Sequence, residues 1–273
     1  MNSAWSQAPP GRRTGFVSAY TPGLLFPVSR RPKREEVCVP EPLPFRGCDI
    51  WNAYELSWLN PGGRPEVAIA EFRVPCDSEC LVESKSFKLY LNSFCQSKFP
   101  GRDEVEATLA KDLAGATGSE VSVSLFLPEQ FSHQRLSGFG GICLDRLSVR
   151  IERYTVQPDF LRAGGEVVEE ALYSHLLKSN CPVTGQPDWG SVLFHYVGRQ
   201  IDREGLLKYV VSFREHQEFH EHCVERMFMD ILRRCEPERL TVYARYTRRG
   251  GLDINPFRSN WEEAPENVRL ARQ

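Results

Sequence analysis

The chain has 273 residues, 41% of them hydrophobic and 26% charged, and its formal net charge at pH 7 is −2. This balance is typical of a soluble globular protein of one large or two small domains, and it excludes a protein that overall positive charge draws to nucleic acid or to anionic membranes. No eighteen apolar residues run together, and the first fifteen residues have no apolar segment behind their charges, so we expect no membrane span, no secretory signal and a cytoplasmic location.

Residues 1 to about 45 differ in composition from the rest of the chain. They are rich in proline, arginine and serine, and they contain the basic run Arg30–Arg34. Such a composition predicts an extended arm that lies over the body or is partly mobile. Because a charge run is usually a solvated face, the pattern favours a solvated tail over a binding arm.

The first part of the body has the pattern of two paired strands. Asp49–Leu59 and Glu66–Val74 are strand candidates, and Asn60–Gly63 between them is a strong turn signal. Side chains of the second strand alternate, and one side of it carries the apolar set Ala68, Ala70, Phe72 and Val74. We therefore predict a strand pair with one buried face.

A helix follows, with Ser84 as a plausible N-cap. The apolar residues that should share its buried face fall at i, i+3, i+4 and i+7, and they are Phe87, Tyr90, Leu91 and Phe94. A second helix, 105–113, and a strand, 120–127, complete the first half.

The second half repeats this order. Gly190–Gly198 and Leu206–Phe213 are predicted as paired strands, followed by a helix from about Phe219 to Arg234 and a strand over Leu240–Tyr246. Arg248–Gly251 then predicts a turn. Because strand-strand-helix-strand occurs twice, the sequence indicates tandem α+β modules with antiparallel sheets.

Two nucleotide-binding signatures are absent from the sequence. It contains neither the Gly-x-Gly-x-x-Gly fingerprint between a strand and a helix nor a Walker A sequence. The one glycine cluster, Gly138–Gly141, has the wrong spacing and is interpreted as a bend between strands.

The first candidate site is the segment Glu83–Tyr90. A helix N-terminus presents unpaired N–H groups and partial positive charge, so Lys85 and Lys88 there could form an anion site for a phosphorylated ligand. Glu83 precedes the predicted cap and could accept two hydrogen bonds from a guanine-like edge. The alternative is a surface helix with an ordinary capping acid and solvated lysines.

The second candidate is the loop Cys181–Trp189, in which two prolines and a glycine favour irregular structure. The chain has nine cysteines; an odd number without an export signal predicts reduced thiols, most of them inert and buried. Cys181 would react only as a thiolate, with Asp188 as a possible proton donor or acceptor. The alternative is an inert loop cysteine.

The third candidate is a histidine-rich segment. His216 and His220 are spaced i, i+4, and with Cys223 they suggest zinc ligands, to which Cys76 and Cys80 could add two more. Alternatively His220 and its neighbour Glu221 could hydrogen-bond a purine-like base, or could be polar helix-start residues satisfied locally.

Taken together, these segments resemble one family. Glu83–Tyr90 (ESKSFKLY) resembles at every position the signature of the 7-cyano-7-deazaguanine reductases, the nitrile reductases of queuosine biosynthesis. Cys181–Trp189 is similar to that family's nucleophile loop, Phe219–Glu221 to its substrate-binding segment, and Arg248–Pro256 to its C-terminal cofactor segment. The likeness spans residues 45–260 and indicates the long form with two modules.

The resemblance implies a fold and an assembly. Each module would be a tunnelling fold (T-fold), a four-stranded antiparallel sheet with two helices on one face, and modules would join into barrels in a homodimer. We therefore expect an arm over 1–45, a first module over 46–150 with the lysine signature, and a second module over 151–273 with the nucleophile.

The resemblance also implies site residues. Cys181 would add to the nitrile to give a thioimide, and Asp188 would protonate the nitrogen. Reduction to the amine needs four electrons, hence two NADPH per turnover, and no metal. The implied substrate-binding residues are Val82, Glu83, Ser84, His220 and Glu221. The implied cofactor-binding residues are Ser84, Lys85, Lys88, Arg249 and Gly250. We expect no direct nucleic-acid or membrane partner.

Two other readings are open on sequence alone. One is a zinc-dependent enzyme of the GTP cyclohydrolase I kind, which shares the T-fold and would need cysteine and histidine ligands. The other is a non-catalytic module that binds purines or tRNA, which the near-neutral pI of about 6.3 disfavours.

Overall fold

A computed structural model describes residues 17–273. Twelve strands and five α-helices follow each other in this part of the chain: β1 (Pro27–Ser29), α1 (Arg31–Glu36), β2 (Arg46–Leu59), β3 (Pro65–Pro75), β4 (Cys80–Val82), α2 (Ser84–Asn92), α3 (Arg102–Thr117), β5 (Ser122–Phe126), β6 (Leu136–Ser137), β7 (Ile142–Cys143), β8 (Ala163–Asn180), β9 (Pro187–Ile201), α4 (Arg203–Ser212), α5 (His220–Cys235), β10 (Arg239–Tyr246), β11 (Leu252–Ser259) and β12 (Arg269–Leu270). Within residues 17–273, no helix is long and apolar enough to cross a membrane.

The chain divides into two compact units. The first unit comprises residues up to Pro32, Asp49–Arg135 and Arg248–Ile254. The second unit comprises Lys33–Cys48, Leu136–Thr247 and Asn255–Gln273. Each unit mixes antiparallel strands with helices, so the α+β class is confirmed.

In the first unit the strand order is β5-β3-β2, with β3 and β5 antiparallel. The predicted alternation of β3 is confirmed, because its apolar side is buried while Val67 on the other side is 48% exposed. The predicted helical stripe is confirmed as well. Its four residues are all buried and pack with β3 in one core that contains Phe72, Phe87, Tyr90, Leu91 and Phe94.

In the second unit the order is β11-β10-β9-β8-β7, and β8 and β9 form a long antiparallel hairpin. The predicted strand over Leu206–Phe213 is wrong, because this segment forms α4 and a short 3-10 helix. Leu206, Tyr209, Val210 and Phe213 are all fully buried at helical spacing. The Asp202 side chain caps the helix by accepting a hydrogen bond from the backbone N–H of Glu204. β9 pairs with β8, which the sequence analysis did not predict, and with β10 on its other side.

Apart from the short strand β4, the two units share one order of elements, strand-strand-helix-helix-strand, which is β2-β3-α2-α3-β5 in the first and β8-β9-α4-α5-β10 in the second. The first helix of each pair has an acidic N-cap, Glu83 in α2 and Asp202 in α4. A buried tyrosine on that helix donates a hydrogen bond to an aspartate on the second helix, and these pairs are Tyr90–Asp112 at 2.7 Å and Tyr209–Asp230 at 2.6 Å. The predicted repeat of elements is therefore present. Each copy has two helices, whereas the sequence pattern predicted one helix in the second half.

The turn between the first two strands is also repeated. In the first unit the Asn60 N–H donates to the Arg64 carbonyl, and Gly63 N–H donates back to Asn60 O, both at 2.9 Å. In the second unit Cys181 N–H donates to Gln186 O at 2.8 Å, and Gly185 N–H donates back to Cys181 O at 2.9 Å. Asn60 therefore begins its turn as Cys181 does in the other unit, although the turn at Cys181 is one residue longer.

The basic run of the N-terminal arm is not a solvated tail, which corrects the sequence-based prediction. In the first unit Arg30 is 1% exposed and pairs with Asp49 at 2.6 Å. In the second unit Arg34 donates two hydrogen bonds to the buried Glu225, at 2.7 and 2.8 Å. Because buried carboxylates need cationic partners, these arginines belong to the folded body. The predictions for residues 1–16, including the absence of a secretory signal, lie outside the described residues.

Candidate active site

Cys181 lies at the tip of the β8–β9 hairpin. Its main chain makes the two hydrogen bonds of the turn, and Gly185 closes that turn at φ +70°, a left-handed conformation that favours glycine. The Cys181 side chain is 4% exposed. The backbone therefore fixes a buried thiol in place, at the point where the sequence predicted an irregular loop.

Asp188 lies on the same hairpin as Cys181. It is residue two of β9, pairs in register with Ser179 of β8, and is 6% exposed. The last pair of the ladder, Asn180 with Pro187, separates it from the Cys181 turn. The structure thus brings the predicted nucleophile and the predicted proton donor to one end of one hairpin.

His220 adds a nitrogen base to this end of the hairpin. It is the first residue of α5, and its Nε2 lies 3.4 Å from Asp188 Oδ2. The imidazole stacks on the Tyr246 ring, with centroids 3.8 Å apart and planes at 17°. Among the described residues its buried Nδ1 has no hydrogen-bond partner. A buried ring nitrogen of this kind suits a polar ligand, because leaving it unpaired costs free energy.

Glu221 follows His220 in the first turn of α5 and is 1% exposed. A carboxylate at a helix N-terminus is stabilised by the helix dipole. Both residues of the predicted purine-binding pair, His220 and Glu221, are therefore buried at the start of α5, and His220 lies beside Asp188.

The other histidines of this segment do not support the metal-site reading. His216 precedes the helix, so the i, i+4 geometry expected for His216 and His220 on one helix face does not exist. Burial, reinforced by the charge of Arg226, lowers the pKa of His216 to about 4. His222 lies 3.5 Å from Glu218. No group of three or more candidate metal ligands is present among residues 17–273.

The cysteine pair expected to add zinc ligands is not on a helix. Cys76 follows the end of β3 and Cys80 begins β4. All nine cysteines of the chain are free thiols.

In the first unit, Glu83 itself is the N-cap of α2, which corrects the prediction of Ser84 as the cap. The Glu83 carboxylate accepts hydrogen bonds from the backbone N–H groups of Lys85 at 3.0 Å and Ser86 at 2.7 Å. Burial raises the pKa of Glu83, although these two hydrogen bonds and the charge of Arg249 act in the opposite direction. Each oxygen therefore accepts one hydrogen bond from the helix and keeps a further lone pair for a ligand, so the predicted substrate contact of Glu83 stays a prediction.

Cationic groups gather around this helix. Lys88 Nζ lies 3.3 Å from Glu55 Oε2, and the two residues line a small cavity together with Gly250 and Gly251. Gly250 has φ +65°, and a Cβ there would lie 2.9 Å from Lys88 Nζ. Lys85 and Arg249 both exert their charge on Glu83. Side-chain cations, a helix N-terminus and a close glycine turn are the donor set that a phosphate group needs.

The predicted site residues therefore form two groups, one in each unit. The second unit holds Cys181, Asp188, His220 and Glu221, and the first holds Val82, Glu83, Ser84, Lys85, Lys88, Arg249 and Gly250. Sequence reasoning missed Tyr246, which stacks on His220, and Glu55, which pairs with Lys88. Neither has a local sequence signal, because each contact joins residues far apart in the chain.

Comparisons with known proteins identify a family of nitrile reductases. The family model described as "Nitrile reductase, 7-cyano-7-deazaguanine-reductase N-term" matches residues 16–125, and the model described as "QueF-like protein" matches residues 187–265.

Similar full-length relatives carry one name. The NADPH-dependent 7-cyano-7-deazaguanine reductases of Chromobacterium violaceum, Burkholderia multivorans and Bordetella pertussis are 55%, 56% and 55% identical to this chain. The alignments cover 97–98% of this chain and 96–99% of the relatives. A solved archaeosine synthase, QueF-Like, aligns over 37% of this chain and 99% of its own, with 18% identity and a TM-score of 0.31.

Proposed function

The chain belongs to the family of NADPH-dependent 7-cyano-7-deazaguanine reductases, and we propose that it reduces the nitrile of 7-cyano-7-deazaguanine to the primary amine, 7-aminomethyl-7-deazaguanine, in queuosine biosynthesis. The observation that carries the proposal is made at the end of the β8–β9 hairpin. There the buried Cys181 thiol lies in the turn, and the buried Asp188 carboxylate on the same hairpin faces the His220 imidazole.

The thiol and the carboxylate have complementary roles. The Cys181 thiolate adds to the nitrile carbon, forming a C–S bond as one C–N π bond breaks. Asp188 delivers a proton to the nitrogen as it becomes basic, and the product is a thioimide. This addition converts a neutral nitrile, which resists hydride, into a carbon that accepts it. The hairpin supports the step because its backbone hydrogen bonds hold the Cys181 turn rigidly.

His220 and Glu221 are proposed to bind the deazaguanine ring. A buried imidazole nitrogen without a protein partner and a buried carboxylate next to it offer hydrogen bonds to the polar edge of a purine-like base. The substrate roles that the family likeness implies for Val82, Glu83 and Ser84 stay predictions. The Glu83 carboxylate caps the helix and still has lone pairs that can accept hydrogen bonds from a guanine-like edge.

The dinucleotide phosphates are proposed to bind Ser84, Lys85, Lys88, Arg249 and Gly250. The residues fit such a ligand, because Gly250 lets the Lys88 ammonium lie against the turn and the helix N-terminus adds positive potential. When bound, NADPH supplies hydride, and the four-electron reduction consumes two NADPH per turnover. Glu55, whose carboxylate lies 3.3 Å from Lys88 Nζ, would compete with a phosphate for this ammonium group.

The finer architecture is proposed in the same way. The repeated strand-strand-helix-helix-strand order supports two tandem T-fold modules over 46–150 and 151–273, preceded by the arm, in a homodimer. We propose a cytoplasmic enzyme that uses no metal and contacts neither nucleic acid nor a membrane directly.

The test follows absorbance at the nicotinamide band when protein, NADPH and 7-cyano-7-deazaguanine are mixed. We expect two NADPH oxidised per nitrile with the wild type and none with Cys181→Ala, which should also lack the absorbance of the covalent adduct. Cys235→Ala is the matched control, since this cysteine is equally buried in the same unit but ends α5. Tight binding of the nitrile without NADPH oxidation would instead identify a binding module, and an active Cys181→Ala variant would refute the thioimide.

A further inference from the structure

Tyr246 is a buried aromatic residue beside the proposed reaction centre. It ends β10 and pairs in register with Gly190 of β9. Its ring stacks on the His220 imidazole at 3.8 Å, and the Nε2 of that imidazole lies 3.4 Å from Asp188 Oδ2. The tyrosine ring therefore contacts the imidazole that faces the proposed proton donor.

The Tyr246 ring has little room to shift. A Cβ added at Gly190 would lie 3.1 Å from Tyr246 Cδ1 and 3.3 Å from Cε1, which is tighter than ordinary van der Waals contact. The absence of a side chain at Gly190 thus gives the ring its place.

The backbone of Tyr246 is held by side chains as well. Its N–H donates to Asn255 Oδ1 at 3.2 Å, and its carbonyl accepts from Gln273 Nε2 at 3.0 Å. Gln273 Nε2 also donates to Asn255 Oδ1 at 2.7 Å. Three mutually bonded polar groups therefore fix the end of β10, and with it the direction of the aromatic ring.

The Tyr246 hydroxyl is unsuited to proton transfer. Burial, reinforced by the neighbouring Cys223, raises the pKa of Tyr246 well above its ordinary value of 10.0, so the hydroxyl keeps its proton. An acid this weak is poorly matched to protonating an imine nitrogen near neutral pH. The ring, rather than the hydroxyl, is the part of the side chain that can serve the reaction.

From this geometry we propose that Tyr246 is a positioning residue for nitrile reduction, whose ring holds the plane of the His220 imidazole so that Nε2 stays directed at Asp188. The inference rests on the proposed function and adds a residue to it. Without the ring, the imidazole would sample other orientations, and both the base-binding nitrogen and the carboxylate contact would be misplaced during proton transfer.

The test compares two substitutions of the same residue. Tyr246→Phe keeps the ring, and we expect its kcat and its rate of adduct formation to stay within about twofold of the wild type. Tyr246→Leu removes the ring, and both quantities should fall by about 10- to 100-fold while the KM for NADPH stays unchanged. A Phe variant as impaired as the Leu variant, or a Leu variant with wild-type kcat, would overturn the proposal.

Tyr243→Leu separates positioning from simple loss of stability. Tyr243 is buried on the same strand, but its ring contacts Phe139 and Phe257. We expect this variant to melt at a lower temperature with an unchanged kcat; a fall in kcat equal to that of Tyr246→Leu would count against a specific role.

Gly190→Ala tests the same idea without touching the tyrosine, and it replaces Tyr246→Leu if that variant does not fold. The added methyl presses on the Tyr246 ring, so kcat should fall with no change in the KM for NADPH; an unchanged kcat would overturn the proposal. A wild-type protein that oxidises no NADPH with the nitrile would remove the proposed function and this inference together. An active wild type with insensitive Tyr246 and Gly190 variants would remove the inference alone.

Discussion

Replacement of Glu55 by glutamine should strengthen NADPH binding. In the free protein Glu55 Oε2 lies 3.3 Å from Lys88 Nζ, and the side chains of Glu55 and Lys88 are 59% and 32% exposed. An exposed ion pair of this kind contributes about 0.2–1 kcal/mol. Because Glu55 competes with a phosphate for the Lys88 ammonium, removing its charge should lower the Kd for NADPH by about 1.4- to 5-fold.

The assay is a fluorescence titration of NADPH into wild type and Glu55→Gln at low and high salt. At about 1 M salt the Debye length falls to about 3 Å, so the difference between the two proteins should shrink. Glu66→Gln is the matched control, because Glu66 forms an exposed pair with Arg64 at 2.7 Å next to the β2–β3 turn. A Kd for Glu55→Gln that is unchanged or higher would refute the competition between Glu55 and the phosphate.

Four further outcomes are expected. Glu83→Ala removes two cap hydrogen bonds, one of them to a buried N–H, and should lower the free energy of unfolding in denaturant titrations by about 2 kcal/mol. Asp202→Ala loses one exposed cap hydrogen bond and should lower it by less than about 1 kcal/mol. Equal losses in the two variants would contradict the cap assignment. Because burial raises the pKa of Glu83, the stability that its protonation contributes is present below the ordinary pKa of 4.5 and is lost as pH rises through the raised pKa. Melting temperatures measured from pH 4 to 7 should therefore fall more for the wild type than for Glu83→Gln. Parallel curves of melting temperature against pH would disprove this pH dependence. Lys85→Ala should raise the KM for NADPH roughly 10- to 100-fold and leave that for the nitrile nearly unchanged, and an equal rise in both would refute its cofactor role. Asp188→Asn should slow adduct formation by about 10²- to 10⁴-fold, measured by stopped-flow absorbance, while the nitrile still binds; a wild-type rate would exclude Asp188 as the proton donor.

Much of the first unit could be predicted from the sequence because its patterns are local and regular. The alternation of β3 and the helical stripe of α2 both correspond to buried faces. The N-cap was misplaced by one residue, since serine is the more usual cap, but here the longer Glu83 side chain reaches the N–H groups of Lys85 and Ser86.

The second unit was harder to predict, for two physical reasons. In α4 the adjacent valines at 210 and 211 favour a strand locally, but the buried stripe and the Asp202 cap decide for a helix. In β8 the register shifts between Gly164 and Val167 and between Ser174 and Leu177. Each irregularity moves side chains to the other face, so the strand lacks the simple alternation by which strands are recognised.

The residues of the candidate site also differ in whether their contacts could be predicted from the sequence. Cys181 and Asp188 could be paired from sequence because they belong to one short hairpin end. Tyr246 and Glu55 could not, because their contacts with His220 and Lys88 exist only after distant segments have folded together.

The repeated turn of the two units has a consequence for how such a chain can change over time. A similar pair of backbone hydrogen bonds closes the turn that begins at Asn60 in one unit and the turn that begins at Cys181 in the other, which is one residue longer. This backbone arrangement therefore accepts side chains of different chemistry at its first position. Under the proposed mechanism only the turn at Cys181 has to carry a thiol, so substitutions at Asn60 should impair activity less than substitutions at Cys181.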